Sequence, residues 1–117
     1  MTPAIETRTI RITTMECPVG IGQKPIYVHH DIRATCLKGL CVHKDLKGSR
    51  WKWMITHEAS GLSIERIGAT TKARAMQNMQ AAIALPIDWT LGESAVLAAL
   101  RASPGIRDAL TRIGESN

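Results

Sequence analysis

The chain has 117 residues, 21% of them charged, with a formal net charge of +5 and no phenylalanine. That length fits one α+β domain over residues 1–117, able to bury a core without disulfides, and no stretch approaches the roughly 20 apolar residues that a membrane-spanning helix needs. The N-terminus, Met1-Thr-Pro-Ala-Ile-Glu6, lacks the basic-then-apolar pattern of a secretory signal, so a cytoplasmic protein with reduced Cys17, Cys36 and Cys41 is expected.

Along the chain, Thr7 to Met15 is rich in β-branched residues, with Ile10 and Ile12 on one face and Arg11 on the other, and reads as a strand. Cys17-Pro18, Gly20 and Gly22 form a connection ending at Pro25, followed by a second extended piece, Ile26–His30. Asp31–Leu37 is ambiguous between a helical turn and irregular chain. Leu40–His43 is a short apolar run that fits a strand, and Lys47-Gly48-Ser49 is a turn.

The stretch from Ser49 to Leu85 carries the clearest signals. Trp51, Trp53 and Ile55 alternate with Lys52, Met54 and Thr56, which places both indoles on one face of a strand. Glu58-Ala-Ser-Gly61 is a polar turn, and Leu62–Ile67 resumes the alternation, so a hairpin is expected. Thr70 and Thr71 can cap a helix whose stripe of Lys72, Met76, Met79 and Ile83, with Ala75 and Ala82 beside it, covers the tryptophan face. Pro86 stops that pattern, and Trp89 is placed to close one edge of the core. Thr90-Leu-Gly-Glu93 has capping-box spacing for a second helix. Ser103-Pro104 starts a third, with Ile106, Leu110 and Ile113 at helical spacing and Gly114 as its stop. The expected fold is an antiparallel sheet of three to four strands over residues 5–67, followed by three helices at about 71–85, 91–102 and 104–113 on one of its faces.

The net positive charge is confined to the first part of the chain. Residues 1–52 hold nine Lys/Arg against four Asp/Glu, whereas residues 53–117 hold six of each. Its densest part is Lys38, Lys44, Lys47, Arg50 and Lys52, opposed by Asp45 alone. Such a concentration attracts phosphate or an acidic protein, and equally fits a solvated loop. Lys72 and Arg74 add two cations at the start of the first helix, where free backbone amides favour anions.

Two further constellations bear on chemistry. Cys36, Cys41 and His43, with His29, His30 and Cys17 upstream, are ligand types that suit zinc, although no second close cysteine pair exists. Buried cysteines and solvent-facing histidines account for the same residues without an ion. His57-Glu58 lacks the second histidine of a zinc-protease helix, since position 61 is Gly, and His57 reads as an exposed loop-edge residue. No nucleophile elbow, dinucleotide loop or phosphate loop is present, so neither an enzyme nor a bound cofactor is expected.

The sequence of two strand signals, Gly68-Ala-Thr-Thr-Lys-Ala-Arg-Ala75 and an Ala- and Met-rich helix resembles the second half of a double-stranded RNA-binding domain. It also resembles the three-strand-plus-helix DNA-binding domains of the AP2 and integrase-arm kind. The likeness covers about residues 50–85 and implies phosphate contacts at Lys72 and Arg74. In general style, a compact basic chain with the Trp51-x-Trp53-x-x-Thr56-His57-x-x-x-Gly61 hairpin resembles small accessory proteins of phages and mobile elements, anti-CRISPR inhibitors among them. Three functions are therefore carried forward. They are nucleic-acid binding through Lys38, Lys44, Lys47, Arg50, Lys52, Lys72 and Arg74, inhibition of an acidic host protein in the host cytoplasm, and a small structural zinc module.

Overall fold

The computed structural model describes residues 5–16, 20, 22, 24–45 and 52–115. Cys17, the Lys47-Gly48-Ser49 turn, Arg50 and Trp51 lie outside them. Five strands come first: β1 (Glu6–Glu16), β2 (Ile26–Leu37), β3 (Leu40–Lys44), β4 (Trp53–His57) and β5 (Leu62–Ser63). A 3₁₀ turn, Glu65–Ile67, precedes α1 (Lys72–Ile83), α2 (Glu93–Ala102) and α3 (Pro104–Glu115). The strands form one antiparallel sheet in chain order, as short connections favour.

The sheet has one strand more than expected, and its second half differs in detail. The ambiguous Asp31–Leu37 continues β2, because every residue from Ile26 to Cys36 has a partner in β1. The alternation after Gly61 yields only two strand residues. Ile64 donates its N–H to Ile55 at 2.7 Å, and the chain then coils into the 3₁₀ turn, which buries Ile67 completely. Asn78 of α1 donates to the Ile67 carbonyl at 3.0 Å and holds that turn against the helix.

Two apolar clusters lie on opposite faces of the sheet. Leu40, Val42 and Ile55 meet Ala75, Met79 and Ala82 of α1, together with Ile67, Trp89, Val96, Ile106 and Leu110. Trp53 is half-buried at the margin of this cluster. α1 contacts β3 and β4, α3 contacts α1 and the 3₁₀ turn, and α2 contacts α3. Trp89 is 3% exposed and donates its indole N–H to the Ala82 carbonyl at 3.0 Å, which pins the segment between α1 and α2.

The other cluster is Ile10, Ile12, Ala34, Cys36 and Cys41. It is enclosed because the sheet curls: β1 comes back against the turn between β4 and β5, and Thr13 N–H donates to the Gly61 carbonyl at 2.8 Å. Beyond that seam, the ends of β1 and β2 continue as a two-stranded ribbon.

Caps and stops differ in part from expectation. Thr71 caps α1, accepting from Arg74 N–H at 3.2 Å. The Thr90–Glu93 capping box does not form. Gly92 is the N-cap of α2, and the Thr90 hydroxyl and N–H are both spent on the Asp88 carboxylate. Gly114 lies inside α3 rather than ending it, and a Cβ there would stand 1.8 Å from the Arg66 carbonyl oxygen, so its role is close approach to the 3₁₀ turn. Between β2 and β3, Lys38 and Gly39 have φ of 47° and 91°, the left-handed pair of a two-residue hairpin turn. A Cβ at Gly39 would also meet the Trp89 carbonyl oxygen at 2.4 Å.

Candidate functional site

Cations from three segments gather at one end of the sheet. Lys44 ends β3 and pairs in register with Trp53 at the start of β4. Lys72 opens α1, which begins just after Trp53 and Ala69 exchange backbone hydrogen bonds of 2.9 Å. The Lys44 and Lys72 ammoniums each lie 5.8 Å from the centroid of the Trp53 indole, so at most twice that distance separates them. Both lysines are exposed, as is Lys52, which precedes Trp53 in the chain. The first turn of α1 contains no acidic residue, so the positive end of its dipole adds to the lysines. Arg74 belongs to the same turn, with its guanidinium on Gln77 at 3.3 Å.

The remaining residues of the expected cationic surface are placed differently. Lys38 lies at the opposite end of β3, in the turn beside Trp89 and Thr90. Lys47 and Arg50 fall outside the described residues. The convergence of Lys44 on Trp53 was open to sequence reading, because two strands joined by the 45–52 connection bring those positions level. The approach of Lys72 depends on where α1 lands, and that is set by the core.

The histidines and cysteines form three separate arrangements. His43 is buried on the inner face of the curl. Its Nδ1 lies 2.8 Å from the Lys44 carbonyl, which only accepts, so Nδ1 carries the proton and Nε2 accepts from the Thr56 hydroxyl at 2.6 Å. Burial holds its pKa below the ordinary histidine value. His57 is 4% exposed, contrary to its reading as a loop-edge contact. Its Nε2–H donates to the carbonyls of Trp89 and Leu91, both at 2.9 Å, and Ser60 Oγ lies 2.8 Å from Nδ1. These bonds tie the end of β4 to the segment before α2. They also form one wall of an open, largely apolar cleft of about 670 Å³ that includes Ile64, Leu97 and Leu110.

Cys36 and Cys41 face each other across β2 and β3, both fully buried. The expected zinc set does not assemble around them: His43 is committed to Thr56 and Lys44, and His29 sits out on the ribbon with its Nδ1 3.1 Å from Thr13 Oγ1. Glu58 stands beside the thiols instead, accepting from Cys41 Sγ at 3.5 Å. Arg8 grips both oxygens of Glu58, and its guanidinium holds that carboxyl below the usual carboxylate range. Burial pushes the thiol pKa of Cys36 and Cys41 upward. Period-two alternation from Thr56 would have put Glu58 on the cysteine face, a signal that the sequence reading did not follow. Among the described residues no helix is long and apolar enough to cross a membrane. No protein-family model, curated protein or solved structure matches this chain, so its function is argued from its own residues.

Proposed function

We propose that the protein is a non-enzymatic nucleic-acid-binding protein that engages phosphates through the surface where Lys44, Lys52 and Lys72 meet around Trp53, with Arg74 in the same helical turn. The observation that supports it is the pair of ammoniums 5.8 Å from one indole, at the N-terminus of a helix with no acid in its first turn. Charges this close raise a common potential that a phosphate relieves. Lys47 and Arg50 follow Lys44 in the chain, and Lys38 would act as a separate cation at the other end of β3. In this reading the three helices cover one face of the sheet, and the duplex or single strand meets the end at which α1 begins. The likeness of residues 50–85 to sheet-plus-helix nucleic-acid-binding domains points the same way. Fluorescence anisotropy with mixed-sequence DNA and RNA at low salt tests it. Binding should show little sequence preference, and log K should fall linearly with log salt. The double variant K44A/K72A should reduce the magnitude of that slope by about 2. No binding at about 100 µM, the weak end of the usual nonspecific range, rejects the proposal.

A second reading is favoured by the ribbon, where Tyr27 is 68% and Ile26 49% exposed. Large exposed apolar side chains suit anchoring to a partner protein, as in a phage-type accessory protein that inhibits an acidic host target. Capture of one host protein that survives nuclease treatment and is lost in Tyr27→Ala would favour this reading over the first.

A further inference from the structure

We propose that Cys36, Cys41 and Glu58 form a zinc site on the inner face of the curled sheet, with a fourth position left to water. The Lys38-Gly39 turn closes the β2–β3 hairpin on the Leu37–Leu40 pair, and Cys36 and Cys41 are the next pair along. In a two-residue hairpin that next pair lacks mutual backbone hydrogen bonds, the geometry in which opposed side chains come closest. One ligand atom from each of Cys36, Cys41 and Glu58 lies within 4.8 Å of the other two. Zinc bonds of about 2.3 Å to sulfur and 2.0–2.2 Å to oxygen make the edges of a tetrahedron roughly 3.8 Å for S–S and 3.5 Å for S–O. Cys41 Sγ already stands 3.5 Å from Glu58 Oε2. One edge of that tetrahedron is therefore already in place, and the other two donor pairs stand within 4.8 Å.

Charge supports the same assignment. Two thiolates and the Glu58 carboxylate carry three negative charges, which zinc and the Arg8 guanidinium offset, although Arg8 also pairs with Glu6 at 2.8 Å, so the cluster with that carboxylate keeps one net negative charge. Each Glu58 oxygen that accepts from Arg8 keeps a second lone pair for a metal. Arg8 thus orients the carboxylate without consuming it. Both thiols must lose a proton to the solvent when zinc binds.

The test uses the full chain, stripped of metal with a chelator, fully reduced with a phosphine and titrated with Zn²⁺ against a chromophoric chelator. One zinc per chain should bind, two protons should be released per zinc at pH 7.5, and the melting temperature should rise with zinc concentration. Glu58→Gln, which keeps the side-chain size at a half-exposed position, should weaken binding at least tenfold, while His29→Ala should leave it unchanged. Cys36→Ser and Cys41→Ser should abolish it. If those buried substitutions unfold the chain, the proton count on the unaltered protein decides. Fewer than about 0.1 zinc per chain, fewer than two protons released, or a Glu58→Gln variant that binds as tightly as the parent overturns the proposal.

Discussion

His43 is the residue whose environment has the plainest consequence for stability. Its ring is 2% exposed and bonded in the neutral state, Nδ1–H to the Lys44 carbonyl and Nε2 from Thr56. As pH falls through the ordinary histidine value of 6.5, the unfolded chain takes up a proton that the folded one resists. Stability is thus fully present above that value and is lost below it. Glu58, held low by Arg8, adds a separate loss only as pH falls below the ordinary 4.5. Melting temperatures measured from pH 7.5 to pH 5 should fall toward the acid side, and His43→Gln should flatten that slope whatever its effect on the absolute value. Burial also redistributes weight among the apolar residues. The sequence points to Trp53 as a core anchor, yet its indole is half-buried while Ile55 on the same face is 0% exposed. Ile55→Ala should therefore cost about 3–4 kcal/mol and Trp53→Ala about 2 kcal/mol in chemical denaturation. The reverse order would mean that the indole is the keystone after all.

At the scale of elements, α3 separates intrinsic helix preference from packing. Gly105 and Gly114 both lie in this helix, and on propensity alone either change to Ala should gain about 1 kcal/mol. Open space surrounds Gly105, whereas a Cβ at Gly114 would collide with the Arg66 carbonyl. Gly105→Ala should raise the unfolding midpoint, and Gly114→Ala should lower it by more than about 2 kcal/mol. The same division governs what could be read from the sequence. Periodicity marked β1, β3, β4 and all three helices, because each carries its own apolar pattern. It missed the end of β2, since Asp31–Leu37 owes its extension to the pairing of every residue with β1 rather than to its composition. It over-read Leu62–Ile67, where burial of Ile67 under the helices overrides alternation. In the candidate sites, Cys36 and Cys41 were identified as a pair and alternation from Thr56 would have added Glu58 through the β3–β4 register, whereas Arg8 becomes its partner only when the curl brings β1 to the turn after β4.

Over the whole molecule, each strand pairs with its neighbour in the chain, except at the seam where Thr13 meets Gly61. Sequential hairpins close short loops, whereas the seam must bring together segments far apart in the chain, at a larger entropic cost. It should form last during folding and release first in local opening. Cys36 and Cys41, sealed inside the curl, act as reporters of that opening. In a Cys17→Ser background, maleimide labelling of the native protein should be slow and limited by transient exposure. Thr13 directs its N–H away from β2, so Thr13→Pro deletes the seam bond while leaving the β1–β2 ladder intact. That variant should label at least tenfold faster with little change in global melting. On this account the seam is a gate that sets how fast any reagent or ion reaches the interior thiols.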